Sequence, residues 1–177
     1  MSSWKIHQEI EVYFTTSTIV EWLPIFVDEV FLRILTKSLT FCIENKGLKI
    51  HGYVIMLNHI HLLSSADGNI SDIMRDFKTF TSHEIVKILK RKRGRIPLQV
   101  FKQAASSDDK CLNYKVWQAG FHPIGIETES FYNQKLNYIH QNPVRKGYVA
   151  KPEYWFYSSA GYYEGSGESF LEIEMLR

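Results

Sequence analysis

The sequence predicts an α+β fold, a split βαβ arrangement in which helices cover an antiparallel sheet and a C-terminal helix carries a tyrosine. Three observations lead there. Short runs rich in β-branched and aromatic residues alternate with longer runs of helical spacing. The resulting order is strand, helix, strand, strand, helix, strand, helix, and its first six elements match an antiparallel sheet with helices on one face. No internal repeat or low-complexity linker interrupts the chain, so residues 1–177 read as one domain with a variable tail from about position 160.

Each element has its own local signal. Ile10 to Ser17, IEVYFTTS, has strand composition, and Pro24 breaks the chain after it. Phe26 to Asn45 has apolar residues at near-helical spacing. Asp28 and Glu29 open it, and Asn45-Lys46-Gly47 stops it. Leu48 to Leu57 and His59 to Ser64 read as two strands joined at Asn58. Ile70 to about Arg91 returns to helical spacing and is predicted to end in the Gly94 to Pro97 stretch. Ala104 to Lys110 is small and polar, a surface loop. Tyr114 to Phe121 reads as an irregular strand bearing Trp117. Glu127, Thr128 and Glu129 open the last helix, which runs through Tyr138 and is expected to stop near Pro143. Gly147 marks a turn, and Phe170 to Leu176 could form a final strand.

Composition excludes several classes. Apolar residues make up 45% of the chain, too many for a disordered segment. The two cysteines, Cys42 and Cys111, lie in no CxxC pair, which argues against a zinc knuckle or disulfide framework. Neither a signal peptide nor a run of roughly 20 apolar residues is evident, so a cytoplasmic protein without a membrane partner is expected. A net charge of +2 says little by itself. Its distribution says more, because Lys87, Lys90, Arg91, Lys92, Arg93 and Arg95 cluster, with Arg75 and Lys78 before them. Such a run is either a solvated helix end or a phosphate-binding surface.

Two patterns carry chemistry. His59 and His61 flank Ile60 in a predicted strand, where the period of two points both imidazoles to one side. That suits a pair of transition-metal ligands, and equally a metal-free pair on an exposed sheet face. Tyr138 and Asn142 are one helical turn apart, with Gln134 a turn earlier. A tyrosine hydroxyl can be a covalent nucleophile once it or its target is activated, and an amide oxygen can ligate a metal. Arg145 and Lys146 beside them are candidates for phosphate contacts. His7, His51, His83, His122 and His140 read as surface or hydrogen-bonded groups. For Trp117, Trp155 and Tyr154, packing is weighed ahead of base stacking.

Three blocks together resemble a known family. MLNHIHLL (Met56 to Leu63), VWQAGF (Val116 to Phe121) and YIHQNPVRKG (Tyr138 to Gly147) occur in the order found in the single-tyrosine HUH transposases (IS200-like). They are most similar to those associated with repetitive extragenic palindromic elements, and the likeness spans roughly Ile10 to Ser159. It implies a transposase-type catalytic domain that nicks single-stranded DNA near hairpins and transfers the strand through a 5′-phosphotyrosine. It further implies Tyr138 as nucleophile, His59, His61 and Asn142 as metal ligands, and Mg²⁺ or Mn²⁺ as cofactor. Lys87, Lys90, Arg91, Lys92, Arg93, Arg95, Arg145 and Lys146 would contact DNA in a nucleoid-associated protein, with a homodimer left open. The alternative is a catalytically inactive single-strand-binding protein of the same fold. Two departures from the family pattern stand out: Leu57 where proline is usual, and Ile124 where relatives often place a histidine. His122 lies nearby.

Overall fold

The computed structural model describes residues 11–106, 113–165 and 169–176. The expected positions of Ile10, His7, Cys111 and the end of the 104–110 loop lie outside them. Four strands form one antiparallel sheet: β1 (Tyr13–Thr18), β2 (Leu48–Ile55), β3 (His59–Ala66) and β4 (Ile124–Gly125), in the order β2-β3-β1-β4. With β3 antiparallel to both β1 and β2, those two run parallel and need a crossover. Helix α1 (Glu29–Lys46) supplies it.

Alternation along β3 sorts two cores. Ile60 and Leu62 point into the main one, with Leu35 and Leu39 of α1 and Ile73, Phe77 and Ile85 of α2 (Ile70–Arg91). Leu63 points the other way, into a second core with Val12, Phe14, Val54 and Met56. Tyr132 and Ile139 of α4 (Glu129–Arg145) close that core. α1 and α2 thus cover one face, as the order of the first six elements indicates, and the tyrosine-bearing helix α4 covers the other, because the histidine face carries apolar residues of its own.

α1 begins at Asp28, whose carboxylate accepts from the Val30 amide; α2 begins at Asn69 and α4 at Thr128 in the same way. Past Gly94 the chain forms a further helix, α3 (Arg95–Ser106), with Pro97 in its first turn, where the missing amide costs nothing. The Gly-Pro stretch thus starts a helix as well as ending one. Ala104 to Ser106, expected in a loop, close that helix.

Two further departures share a cause in burial. Tyr114 to Phe121 is not a strand beyond one bridge between Trp117 and Ile19. Trp117 instead plugs the main core against Phe26 and Phe77 and donates its indole N–H to the Thr81 hydroxyl at 3.0 Å. The fourth strand falls later, at Ile124–Gly125. Pro143 lies inside α4, which runs on to Arg145. A proline within a helix costs ~3 kcal/mol, and the burial of Tyr132 and Ile139 in the second core and of Pro143 itself offsets it.

β2 is an edge strand, and the C-terminal segments cover it. The Ile55 amide donates to Tyr157, Ser159 donates to Tyr53, and Glu174 donates to Ile50. Phe170 to Leu176 forms no strand beyond that last bond, but Leu171 fills the main core. His51 ties the tail down, its Nδ1 2.7 Å from the Glu174 carbonyl and its Nε2 2.8 Å from the Ser65 hydroxyl.

Burial holds the His51 imidazole below its ordinary value of 6.5. The unfolded chain therefore takes up this proton first, and the stability from neutral His51 is present above about pH 6.5 and lost as pH falls below it. Urea midpoints measured from pH 7 to 5 should decline, with a shallower decline in His51→Gln. Parallel profiles would show that His51 does not contribute to the slope. At Gly52 a Cβ would meet Leu136 Cδ1 of α4 at 2.6 Å. Gly52→Ala should cost about 1–3 kcal/mol of unfolding free energy. Adding Leu136→Ala should cost less than the sum of the two single changes, because the clash disappears.

Candidate active site

The pleat of β3 delivers His59 and His61 to the same face, ring centroids 4.7 Å apart. Each ring is held from behind. Asn58, in the tight turn between β2 and β3, donates its amide N–H to the Trp22 carbonyl at 2.8 Å. Its Oδ1 therefore faces His59 Nδ1 at 2.7 Å and can only accept, so the proton sits on Nδ1. This leaves the His59 lone pair on Nε2. His61 Nδ1 lies 2.8 Å from the Thr16 hydroxyl of β1. That hydroxyl can donate or accept, and His61 presents its Nε2 lone pair in the tautomer whose Nδ1–H donates to Thr16. His61 Nε2 is buried with no hydrogen-bond partner.

Burial pushes His59 down to about 4, with the Lys146 charge adding to the shift. Burial pushes His61 down to about 3, helped by His59 and then by Lys135. Both rings are neutral at pH 7. The donor chemistry fits a divalent transition metal: two neutral imidazoles, oriented through Nδ1, with Nε2 available. Among the described residues no three His, Cys, Asp or Glu side chains gather into a metal site.

α4 lies across this face. Tyr132, Ile139 and Pro143 are buried toward the sheet, with Leu136 packed beside them. The adjoining stripe carries Lys135, Tyr138 and Asn142. The Tyr138 ring is 5.3 Å from His61 and 5.9 Å from Phe14, which itself stacks on His61 at 5.4 Å. Tyr138 stays 36% exposed, so a large substrate can reach it. Tyr132 is buried, and burial raises its hydroxyl far above the tyrosine range. Asn142 is buried one turn beyond Tyr138. Gln134 is exposed.

The surrounding charges are positive. Lys135 Nζ sits 4.6 Å from the Phe14 ring, and the Arg145 guanidinium lies 5.5 Å over Tyr138. The basic run does not join them as a unit. Lys87 pairs with Glu84 and Lys92 with Asp28, while Lys90 lies over Tyr114. Arg91, Arg93 and Arg95 are exposed around the turn from α2 to α3. Only Lys90 of the run lines the 920 Å³ groove between α2 and the 113–121 segment, with Arg75, Lys78, Lys102 and Lys115. Lys78 and Gln118 also line a 220 Å³ cleft beside Thr16 and Thr18, so the two depressions adjoin. Ile124 and His122 share that cleft.

His140 is no ligand candidate. Its Nε2 lies 2.8 Å from the Ser159 hydroxyl and its ring packs on Tyr163. Leu57 occupies the β2–β3 turn without disrupting it: its carbonyl accepts from Phe26, and Met56 donates across the turn to His59. Trp155 donates its indole N–H to the Ile55 carbonyl and is half-buried, while Tyr154 is exposed.

A family model described as "Transposase IS200 like" matches residues 23–142, well over half of the chain. The chain belongs to the IS200-like transposase family. Both histidines, Tyr138 and Asn142 fall within the matched segment of this transposase. Its fold is that of a solved REP-associated tyrosine transposase bound to a REP hairpin, at a TM-score of 0.64 and 15% identity. The overlap covers 100% of this chain and 94% of that one. A crystal structure described as that of a transposase candidate from Deinococcus radiodurans R1 overlaps less. It has a TM-score of 0.47 and 18% identity over 78% of this chain and 95% of that one, too little to inform the fold. No curated protein matches.

Sequence reasoning missed Thr16, Lys135 and Trp22 and saw in Asn58 only a turn. Thr16 was findable in principle, since alternate residues of β1 must face alternate residues of β3. Thr16→Val keeps the shape but removes the partner of His61 Nδ1. It should lower stability by about 0.5–1.5 kcal/mol in denaturant titration. No loss would show that water replaces the hydroxyl.

Proposed function

We propose that this transposase nicks single-stranded DNA at hairpin-associated sites and rejoins it through a covalent link to Tyr138. The observation that carries this reading is the meeting of two elements. β3 presents two neutral imidazoles side by side, and α4 brings an accessible tyrosine ring 5.3 Å from one of them. The hairpin bound in the related structure supports the choice of ligand class.

His59, His61 and Asn142 would hold a divalent metal. Two imidazoles suit Mn²⁺ better than Mg²⁺, which prefers oxygen, although both are expected to support activity. When bound, the metal would supply Lewis acidity toward a non-bridging phosphate oxygen and the leaving 3′ oxygen. The residues of the chain do the rest. Tyr138 Oη would form a bond to phosphorus as the bond from phosphorus to the 3′ oxygen breaks. The phenol proton is given up, and the leaving 3′ oxygen ends as a hydroxyl. The 5′-phosphotyrosine keeps the energy of the phosphodiester, so a 3′ hydroxyl can reverse the step without ATP. Lys135, Arg145 and Lys146 form a cationic rim that favours the phosphate and the developing phenolate charge. Arg75, Lys78, Lys90, Lys102 and Lys115 would guide the backbone along the groove, with a salt-dependent share of affinity. Arg91, Arg93 and Arg95 would add to it from the adjacent turn.

A panel of hairpin-flanked single strands with Mn²⁺ or Mg²⁺ tests the proposal. Wild type should yield a DNA–protein adduct that survives denaturation and maps to Tyr138. Tyr138→Phe should abolish the adduct, and His59→Ala or His61→Ala should lower cleavage by at least about 100-fold, the scale of a lost electrostatic catalyst. An adduct on Tyr154, or full cutting in excess EDTA, would contradict the assignment. Binding without cleavage across the panel would favour the inactive binder.

A further inference from the structure

Trp22 is 60% exposed, one of the largest apolar side chains left open to solvent. Its surroundings set it apart from ordinary surface aromatics. The indole meets His59 edge-on, ring centroids 6.2 Å apart. The backbone beneath it is held in the left-handed region at two consecutive non-glycine residues, Glu21 with φ 52° and Trp22 with φ 53°. L side chains seldom adopt this conformation, and it persists only where the surroundings enforce it. Backbone bonds close the turn, from the Trp22 amide to the Ile19 carbonyl at 3.1 Å and from the Leu23 amide to the Val20 carbonyl at 3.3 Å, and one side chain braces it from a distance. Asn58 donates to the Trp22 carbonyl through Nδ2 and accepts from His59 Nδ1 through Oδ1. One amide thus fixes the orientation of His59 and the placement of Trp22 together. A flat aromatic surface stands beside the candidate metal pair, outside the main cores. Trp22 precedes by one residue the segment that the family model matches, so the match assigns it no role.

We propose that Trp22 is a stacking platform for an unpaired nucleobase of the strand whose backbone lies at His59 and His61. The inference rests on the single-stranded DNA reading above and deepens it by naming what holds the base. An exposed indole offers a face to any base, since every base has a π surface, and such contacts are sequence-tolerant. The platform would hold the base and leave the phosphate to the cationic rim. Trp22 would be a positioning residue and take no part in bond making. The left-handed backbone is then a cost in stability retained because it aims the ring.

The test is binding, measured in EDTA so that it is independent of metal and of Tyr138. The probes are a fluorescein-labelled 15-mer of thymidine and a 15-mer of the same backbone without bases. Wild type should bind the thymidine strand more tightly than the abasic one. Trp22→Ala should weaken thymidine binding by about 5–150-fold, the range of one lost base–aromatic stack. Trp22→Phe should retain most of the affinity, and the abasic strand should bind wild type and Trp22→Ala equally. Trp22→Gly separates fold from contact. Glycine adopts positive φ without strain, so its Tm should match or exceed that of wild type while thymidine affinity falls as in Trp22→Ala. Unchanged thymidine affinity in the alanine and glycine variants would overturn the platform and leave DNA binding standing. Equal losses on both probes would also overturn it, pointing to a general role in the surface. Failure of wild type to bind either strand would overturn the platform together with the DNA reading.

Discussion

The period-two pleat of β3 is the constraint on which the rest of the molecule depends. A strand cannot place neighbouring side chains on one face. With Ile60 and Leu62 committed to the main core, His59, His61 and Leu63 must face the other way. Leu63 is apolar, and with Phe14, Val54 and Met56 it makes that second face unstable in water. α4 covers it. The helix that brings Tyr138 to the histidines is therefore recruited by ordinary hydrophobic burial. A one-residue slip of β3 would lose both the core and the site.

Close approach makes this arrangement precise. Gly52 leaves room for Leu136 to sit directly on the sheet. α4 is then held by a seam along one stripe, with Tyr138 and Asn142 on the stripe beside it. Pro143 would ordinarily end the helix before Arg145, yet its burial keeps the last turn in place. Arg145 is thereby kept over the Tyr138 ring. Packing on one side of α4 sets the electrostatics on the other.

The site combines desolvation with positive charge. Burial is the leading cause of the low proton affinity of His59 and His61, and Lys146 and Lys135 strengthen it. Neutral imidazoles and nearby cations together suit a group that brings negative charge with it, as a phosphodiester does. Nδ1 of each ring is hydrogen-bonded, to Asn58 or to Thr16, so the orientation of both rings is fixed. Asn58 extends the arrangement to the left-handed segment at Trp22. One turn residue thus connects the histidine pair with a segment 36 residues earlier in the chain.

Much of this was legible in the sequence because it is governed by local periodicity. α2 spans Ile70 to Arg91, as its apolar spacing indicates, and the shared side of His59 and His61 follows from the strand period alone. The three family blocks located the histidines and Tyr138 together. Other features required the tertiary structure, because burial outweighed local preference. Trp117 became a core plug instead of a strand residue, Pro143 stayed helical, and the 87–95 run dispersed into contacts with Asp28, Glu84 and Tyr114. Left-handed Trp22 was not legible in advance: its turn is closed by short backbone bonds to Ile19 and Val20 and braced by the Asn58 amide from a distant turn. The sequence by itself determined which residues could do chemistry and on which side of each element they lie. Only the tertiary structure decided which of them meet, because meeting depends on which apolar faces must be buried against each other.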